Sequence, residues 1–419
     1  MVNFINLSKR IILRRMLSYS SRKNNGRPLK VLGIETSCDD TAVCILDSER
    51  RVLAARKYAE RECTKRLGGI LPSLAAIQHR DHIDRLVVEC AEEANLRLSD
   101  LDAISVSSRP GLVICLKVGA DKAVALAREY RLKLIPAHHM RAHAIVCRLH
   151  RPDITYPFVS LLISGGHSLI VVCRDVDRFE IIGHAETGQP SAGGCLDKLA
   201  RTIGLEPKGT HYAAALEDMS RNASPEGYKR YPVMVPRGEN ADFNFQMILN
   251  KYKYIIHTTD LYAENNLADL CASIQFSVMT HICTKLAYVF KYLLHADENM
   301  REAVKKTLVV AGGVASNSYL MGCIGVMAKR FGFETYAPPP SLCTDNAEMV
   351  AWLGMELLLR RKPCADIYEY NSLPDQIYVL ARSDIGEDMR HTLLNHVVEP
   401  VRAHSIHEEH TGRARKKLV

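Results

Sequence analysis

The sequence predicts an α/β protein built as two similar lobes. Three observations lead there. A strand, small polar turn, strand pattern begins at Lys30 and begins again at Pro157. Each such pair is followed by helical periodicity and a later strand that ends in glycine. The 419 residues are also more than one small core would use.

The elements follow in chain order. Val31-Leu32-Gly33-Ile34-Glu35-Thr36 reads as a strand, Ser37-Cys38-Asp39-Asp40 as a turn, and Thr41 to Leu46 as the returning strand. Residues 73 to 97 carry apolar side chains at Leu74, Ile77, Ile83, Leu86 and Val87, which predicts a helix. A strand at Ala103 to Ser107 ends at Arg109-Pro110-Gly111, and Leu116 to Tyr130 is helical. Phe158 to Ile163 restarts the pattern as a buried strand, Ser164-Gly165-Gly166-His167 turns, and Ser168 to Cys173 returns. Helices are expected at Asp197 to Ile203 and Ala268 to Leu294. A strand at Thr307 to Ala311 leads into Gly312-Gly313, a helix starts near Asn317, and another spans Ala347 to Leu359. Residues 220 to 262 read as an irregular insertion. The lobe boundary falls near 150.

Charge separates the ends from the body. The net charge is +8, yet residues 1–30 hold eight basic side chains and no acid, which leaves 47 basic against 47 acidic residues in the rest. Bulk charge therefore gives no nucleic-acid signal for the body. The Arg-rich, Ser-bearing, acid-free start, with Phe4, Ile5, Leu7, Ile11, Ile12 and Leu13 available for one helix face, reads as a mitochondrial presequence over residues 1–29. Arg14 to Ser20 offers a cleavage region. Thirteen cysteines without a Cys-x-x-Cys pair argue against a disulfide framework and a thiolate zinc site. The most apolar stretch, Phe158 to Val172, is broken by Ser164 to Ser168 and is too short for a bilayer.

Three small-residue turns follow strands, at 36–40, 164–168 and 312–317. Each leaves backbone N–H groups at a strand end, where phosphate or carboxylate oxygens can meet them. One alone is an ordinary turn; three across two lobes suggest a nucleotide in the cleft between lobes. No P-loop pattern and no strand-linked Gly-x-Gly-x-x-Gly occurs. His139 and His143 stand four apart, so on a helix their Cβ atoms lie about 5–6 Å apart on one face. That suits one metal at ~2.0–2.1 Å from each nitrogen, and it equally suits two surface histidines. Met140 stands where a zinc protease needs its Glu, so that hydrolysis lacks a base. Asp345 is a candidate third ligand and also a candidate helix cap.

Five ordered segments carry a resemblance: Val31 to Thr41, His138 to His143, Leu162 to Ser168, Ala311 to Asn317 and Cys343 to Ala347. Over residues 30 to 365 the chain resembles the TsaD family, the tRNA N6-adenosine threonylcarbamoyltransferases, and with its basic start it is most similar to the mitochondrial branch. The resemblance implies the ASKHA (actin-like) fold, two ribonuclease-H-like lobes around a nucleotide cleft, at 30–150 and 151–382, with a polar tail at 383–419. The helix at about 345–360 would be free to return to the first lobe.

The reaction implied is transfer of a threonylcarbamoyl group from threonylcarbamoyl-AMP to N6 of adenosine 37, in mitochondrial tRNAs that read codons starting with A, with release of AMP. The family pattern assigns His139, His143 and Asp345 to one divalent ion, zinc or iron. Leu162, Ile163, Ser164, Gly165 and Gly166 would grip the donor phosphate and carbamoyl groups, Asp197 and Glu217 the ribose, and Ser316 and Asn317 the adenine, with Thr344 nearby. Partners implied are tRNA, threonylcarbamoyl-AMP and a second copy of the chain, in the mitochondrial matrix and without a membrane. An exocyclic amine is a poor nucleophile, so positioning outweighs base strength. Asp39 or Asp40 is the candidate proton acceptor, and both also suit a structural turn. Gly193-Gly194-Cys195-Leu196-Asp197-Lys198 and Phe243 to Ile248 depart from the family pattern, which puts activity through the 190–217 and 243–248 segments in question. A sugar kinase or ATP-driven chaperone would share the phosphate turns without needing the histidine pair.

Overall fold

The computed structural model describes residues 23–412 apart from residues 25, 61–69, 186–187, 209–211, 236–239, 262, 264, 304, 361–365 and 394–400. The first twenty-two residues, which hold most of the expected presequence, lie outside the described ones. The chain divides into two compact units. Unit 1 comprises Met1–Ile154 and Asp345–Ile385, and unit 2 comprises Thr155–Thr344 and Gly386–Val419.

Unit 1 is built on a five-stranded sheet. Its strands are β1 (Lys30–Glu35), β2 (Thr41–Asp47), β3 (Val52–Tyr58), β4 (Ala103–Arg109) and β5 (Lys133–His138), in the order β3-β2-β1-β4-β5. The first three form an antiparallel meander, and β1, β4 and β5 run parallel. Side chains alternate along β1. Leu32 and Ile34 join the core with Ile83, Leu86 and Val124 of the helices Pro72–Glu93 and Val113–Tyr130. Gly33 therefore faces the other way, where the returning helix Ala347–Leu359 lies. A Cβ at Gly33 would stand 2.4 Å from the Ala347 carbonyl oxygen and 2.7 Å from the Ala351 Cβ. Only glycine permits that approach. Ser105 Oγ of β4 donates to the Val350 carbonyl at 2.8 Å. The helix is apolar nearly all round and correspondingly buried.

Unit 2 holds a six-stranded sheet. Its strands are β6 (Phe158–Ile163), β7 (Ser168–Asp175), β8 (Arg178–His184), β9 (Lys306–Ala311), β10 (Phe333–Tyr336) and β11 (Glu387–Asp388), in the order β10-β9-β6-β7-β8-β11. β6, β7 and β8 repeat the antiparallel meander of unit 1, and β9 and β10 continue the sheet in parallel with β6. The 31-residue helix Asn266–Ala296 is the core pillar, burying Leu270, Ile274, Val278, Ile282 and Leu286.

Residues 220–262, expected as irregular, contain the helix Phe245–Thr258. Its Phe245, Ile248, Leu249, Tyr252 and Ile256 recur at helical spacing and are buried, with Asn244 capping the start through Met247 N at 3.1 Å. The C-terminal residues beyond Gly386 also contribute structure: β11 extends the sheet beside β8, and the helix Ala403–His410 packs on the helix Ser318–Arg330. Among the described residues no helix is long and apolar enough to cross a membrane. Of the eleven described cysteines all but Cys38 are buried, as small apolar fillers.

Candidate functional site

In unit 1, β5 ends at His138 and the helix His139–Ile145 begins at once. His138 caps it by accepting from Arg141 N at 3.4 Å. The helix places His139 and His143 on one buried face, with ring centroids 4.6 Å apart. Asp345 reaches them from the start of the returning segment. Its Oδ1 lies 3.1 Å from His143 Nε2 and 3.5 Å from His139 Nε2. Capping of the helix Ala347–Leu359 falls to Asn346, whose side chain accepts from Met349 N at 2.8 Å. The carboxylate of Asp345 is thereby left to the histidines.

The donor set fits a divalent ion. One ligand atom from each of His139, His143 and Asp345 lies within 4.8 Å of the other two. Ligands at ~2.0–2.2 Å from a common centre stand at most about 4.4 Å apart, so a small closure suffices. The support behind His139 also fits. Glu35 Oε2 lies 3.0 Å from His139 Nδ1, and Ser37 Oγ lies 3.2 Å from the same nitrogen. A carboxylate holding Nδ1 fixes the tautomer and aims Nε2 at the ligand position. Two imidazoles with one carboxylate suit zinc or iron.

Electrostatics bind the cluster together. Burial pulls the His139 imidazole down, but Glu35 and then Asp345 outweigh it and raise it to about 9. Burial pushes the Glu35 carboxyl up, and His139 more than offsets this, leaving it below the ordinary range. Asp345 behaves the same way, with His139 and His143 drawing it down against burial. His138, by contrast, is driven down to about 3 by burial and by Arg141.

Asp39 and Asp40 sit in the turn between β1 and β2. Asp40 pairs with Lys57 of β3, whose ammonium also donates to the Asp345 carbonyl at 2.8 Å. Burial raises the Asp40 carboxyl despite Lys57. His79 anchors the turn through Cys38 O at 3.0 Å and Thr41 Oγ1 at 2.7 Å. Glu35, Ser37, Lys57 and His79 escaped the sequence reading. A lone acid closing an apolar strand was the available signal for Glu35.

Unit 2 brings three of the expected segments together. Ser164 Oγ accepts from Gly166 N at 3.2 Å and His167 N at 3.0 Å, shaping the turn after β6. Leu162 and Ile163 are buried beneath it. Gly193 N donates to Ser164 O at 3.2 Å, and a Cβ at Gly193 would stand 2.6 Å from that oxygen. Gly312, at φ +98°, approaches Ile163 O so closely that its Cβ would stand 2.4 Å away. Gly165 and Gly166 face open space. Thus the 164–166 turn, the start of the helix Ala192–Ile203 and the 312–316 turn share one corner.

The other expected residues have structural partners. Asp197 Oδ1 accepts from Ala213 N at 2.8 Å. Glu217 Oε1 accepts from Ser318 N at 2.9 Å, at the positive end of the helix Ser318–Arg330. Asn317 caps that helix through Leu320 N at 2.9 Å and donates to Gln275 Oε1 at 2.8 Å. Ser316 Oγ donates to Gly313 O at 2.6 Å. Thr344 is half-buried at the end of the long unit 2 segment.

Comparison with known proteins places this chain in a family. A family model described as TsaD, tRNA N6-adenosine threonylcarbamoyltransferase, matches residues 51–352. The chain belongs to that family. A Caenorhabditis elegans protein named probable tRNA N6-adenosine threonylcarbamoyltransferase, mitochondrial, is 42% identical over 365 residues, covering 86% of this chain and 85% of the relative. A mitochondrial relative from Danio rerio is 32% identical over 80% of this chain and 84% of its own. A tRNA N6-adenosine threonylcarbamoyltransferase from Anaplasma marginale is 36% identical over 78% of this chain and 92% of its own. This TsaD-family chain is accordingly a transferase of the mitochondrial group, in keeping with its basic start.

Solved structures support the fold. HypF from T. kodakarensis matches with a TM-score of 0.52 at 13% identity, over 79% of this chain and 49% of that one. Full-length HypF in a phosphate- and nucleotide-bound form matches at 0.51 and 15% identity, over 80% and 58%. The two meander-based mixed sheets are those of the ASKHA class.

Proposed function

We propose that this chain transfers the threonylcarbamoyl group of threonylcarbamoyl-AMP to N6 of adenosine 37 in mitochondrial tRNAs that read codons starting with A. The observation that carries the reading is the convergence of His139, His143 and Asp345, backed by Glu35, in a chain of the TsaD family.

N6 attacks the carbamoyl carbon, the bond from that carbon to the phosphate oxygen breaks, and AMP leaves with the electron pair. His139, His143 and Asp345 would hold one divalent ion, zinc or iron. Bound there, such an ion supplies positive charge against the phosphate charge that grows on departure. The chain's own groups position the reactants. The N–H groups of the 164–166 turn line the donor's phosphate and carbamoyl oxygens. Asp197 and Glu217 take ribose hydroxyls, while Ser316 and Asn317 border the base and Thr344 lies nearby. Asp39 or Asp40 accepts the proton that N6 gives up. Asp40 suits this because burial brings its carboxyl nearer working pH, and Lys57 keeps it in place. We infer that the chain works as a homodimer.

The test is direct. Full-length protein loaded with zinc or ferrous iron is incubated with threonylcarbamoyl-AMP and a tRNA bearing adenosine 37, and the digested nucleosides are analysed by mass spectrometry. Threonylcarbamoyladenosine is the expected product. Its absence with well-folded, metal-loaded protein refutes the reading.

A further inference from the structure

We propose that the C-terminal helix Ala403–His410 forms one wall of the pocket that receives the purine ring of the donor nucleotide, and that its histidines help fit that ring. The inference rests on the reading that unit 2 binds the AMP part of the donor.

A cavity of about 310 Å³ lies within unit 2. That is the lower end of small-ligand pockets and suits a nucleoside better than a larger cofactor. One side is formed by Glu217 and Ser318, the proposed ribose contact and the residue it bonds. Gln275, fixed by Asn317, closes another side. The cavity therefore continues from residues already placed around the sugar.

The remaining wall comes from the C-terminal helix. His407 stacks on Tyr228 with centroids 3.7 Å apart and planes 22° apart, and its Nδ1 lies 2.9 Å from Tyr319 Oη. Both tyrosines also line the cavity. This makes a rigid aromatic surface, the kind on which a base stacks. His410 lines the cavity too and sits directly over Gly322, where a Cβ would stand 1.8 Å from its ring. A glycine at 322 thus lets the two helices approach closely enough for His410 to reach the pocket. The match to the family model ends at residue 352, so this wall lies beyond the segment that family membership assigns.

The experiment is calorimetric titration of AMP into the full-length chain and two variants. Ala272→Phe projects a ring into the cavity from the helix Asn266–Ala296, and His410→Ala removes the wall's rim. Metal content and thermal melting, read alongside, report that both variants are folded. The expected result is AMP binding weakened at least tenfold in Ala272→Phe and at least threefold in His410→Ala. Binding within twofold of wild type in either folded variant overturns the proposal while leaving the donor-binding reading intact. Should Ala272→Phe fail to fold, His410→Ala decides alone. No AMP binding by the wild-type chain would overturn both.

Discussion

Glu35→Gln should weaken metal binding by about 10–100-fold, the usual consequence of losing a carboxylate behind a histidine ligand. Glu35 is fully buried and serves two donors: Oε2 faces His139 Nδ1 at 3.0 Å, and Oε1 accepts from Ser37 N at 2.5 Å. Glutamine keeps the shape but has one acceptor oxygen for these two donors, and no charge. A hydrogen bond to a charged group contributes about 1.5–3 kcal/mol. Losing one, at about 1.4 kcal/mol per tenfold, gives the same range. The assay is chelator competition for zinc under reducing conditions on wild type, Glu35→Gln and His139→Ala, with thermal melting as a control. His139→Ala should lose binding outright. If folded Glu35→Gln binds zinc within threefold of wild type, the carboxylate does not orient the ligand, and the argument from tautomer control fails.

Two more outcomes follow from packing and charge. Gly193→Ala places a Cβ 2.6 Å from Ser164 O, so it should displace the 164–166 turn and reduce AMP affinity at least tenfold in titration calorimetry, with metal content at His139, His143 and Asp345 unchanged. Lys285, whose ammonium donates to Asn240 O at 2.8 Å, is lowered by burial to about 8. The unfolded chain then holds more protons between about pH 8 and the ordinary lysine value near 10.4, so stability should rise with pH across that window. Lys285→Met should flatten this rise in denaturant titrations run at pH 7.5 and 9.5.

The parts of the fold legible in the sequence are those with strong local signals. The β1 and β6 hairpins announce themselves as apolar runs around small polar turns, and the apolar run marks the helix Ala347–Leu359, although its cap is Asn346 and not Asp345, the cap candidate in the sequence. β3 was missed because Ala54-Ala55-Arg56-Lys57 carries little β-branched character, its place being set by pairing with β2. The helix Phe245–Thr258 was hidden by a polar, glycine-bearing approach, although its buried residues keep helical spacing. At the site, the His139 and His143 spacing was visible, but the partnership with Glu35 was not. That contact joins residues 104 apart in the chain and exists only once β1 and β5 share a sheet. The same holds for Lys57 and Asp40, joined across the β2–β3 meander.

The divided make-up of unit 1 has a consequence for biogenesis. Asp345, and the helix that packs on Gly33, are made only after the whole of residues 155–344 has been synthesised. During translation β1 to β5 must wait with one face of their sheet uncovered, while nearly two hundred residues of unit 2 emerge and can fold ahead of them. Closing so long a loop costs only slowly growing entropy, yet it delays non-local contacts. A nascent or prematurely stopped chain lacking Asp345 has just two of the three proposed ligands. Capture of the proposed ion thus becomes a late event, one that waits for residue 345 to be made.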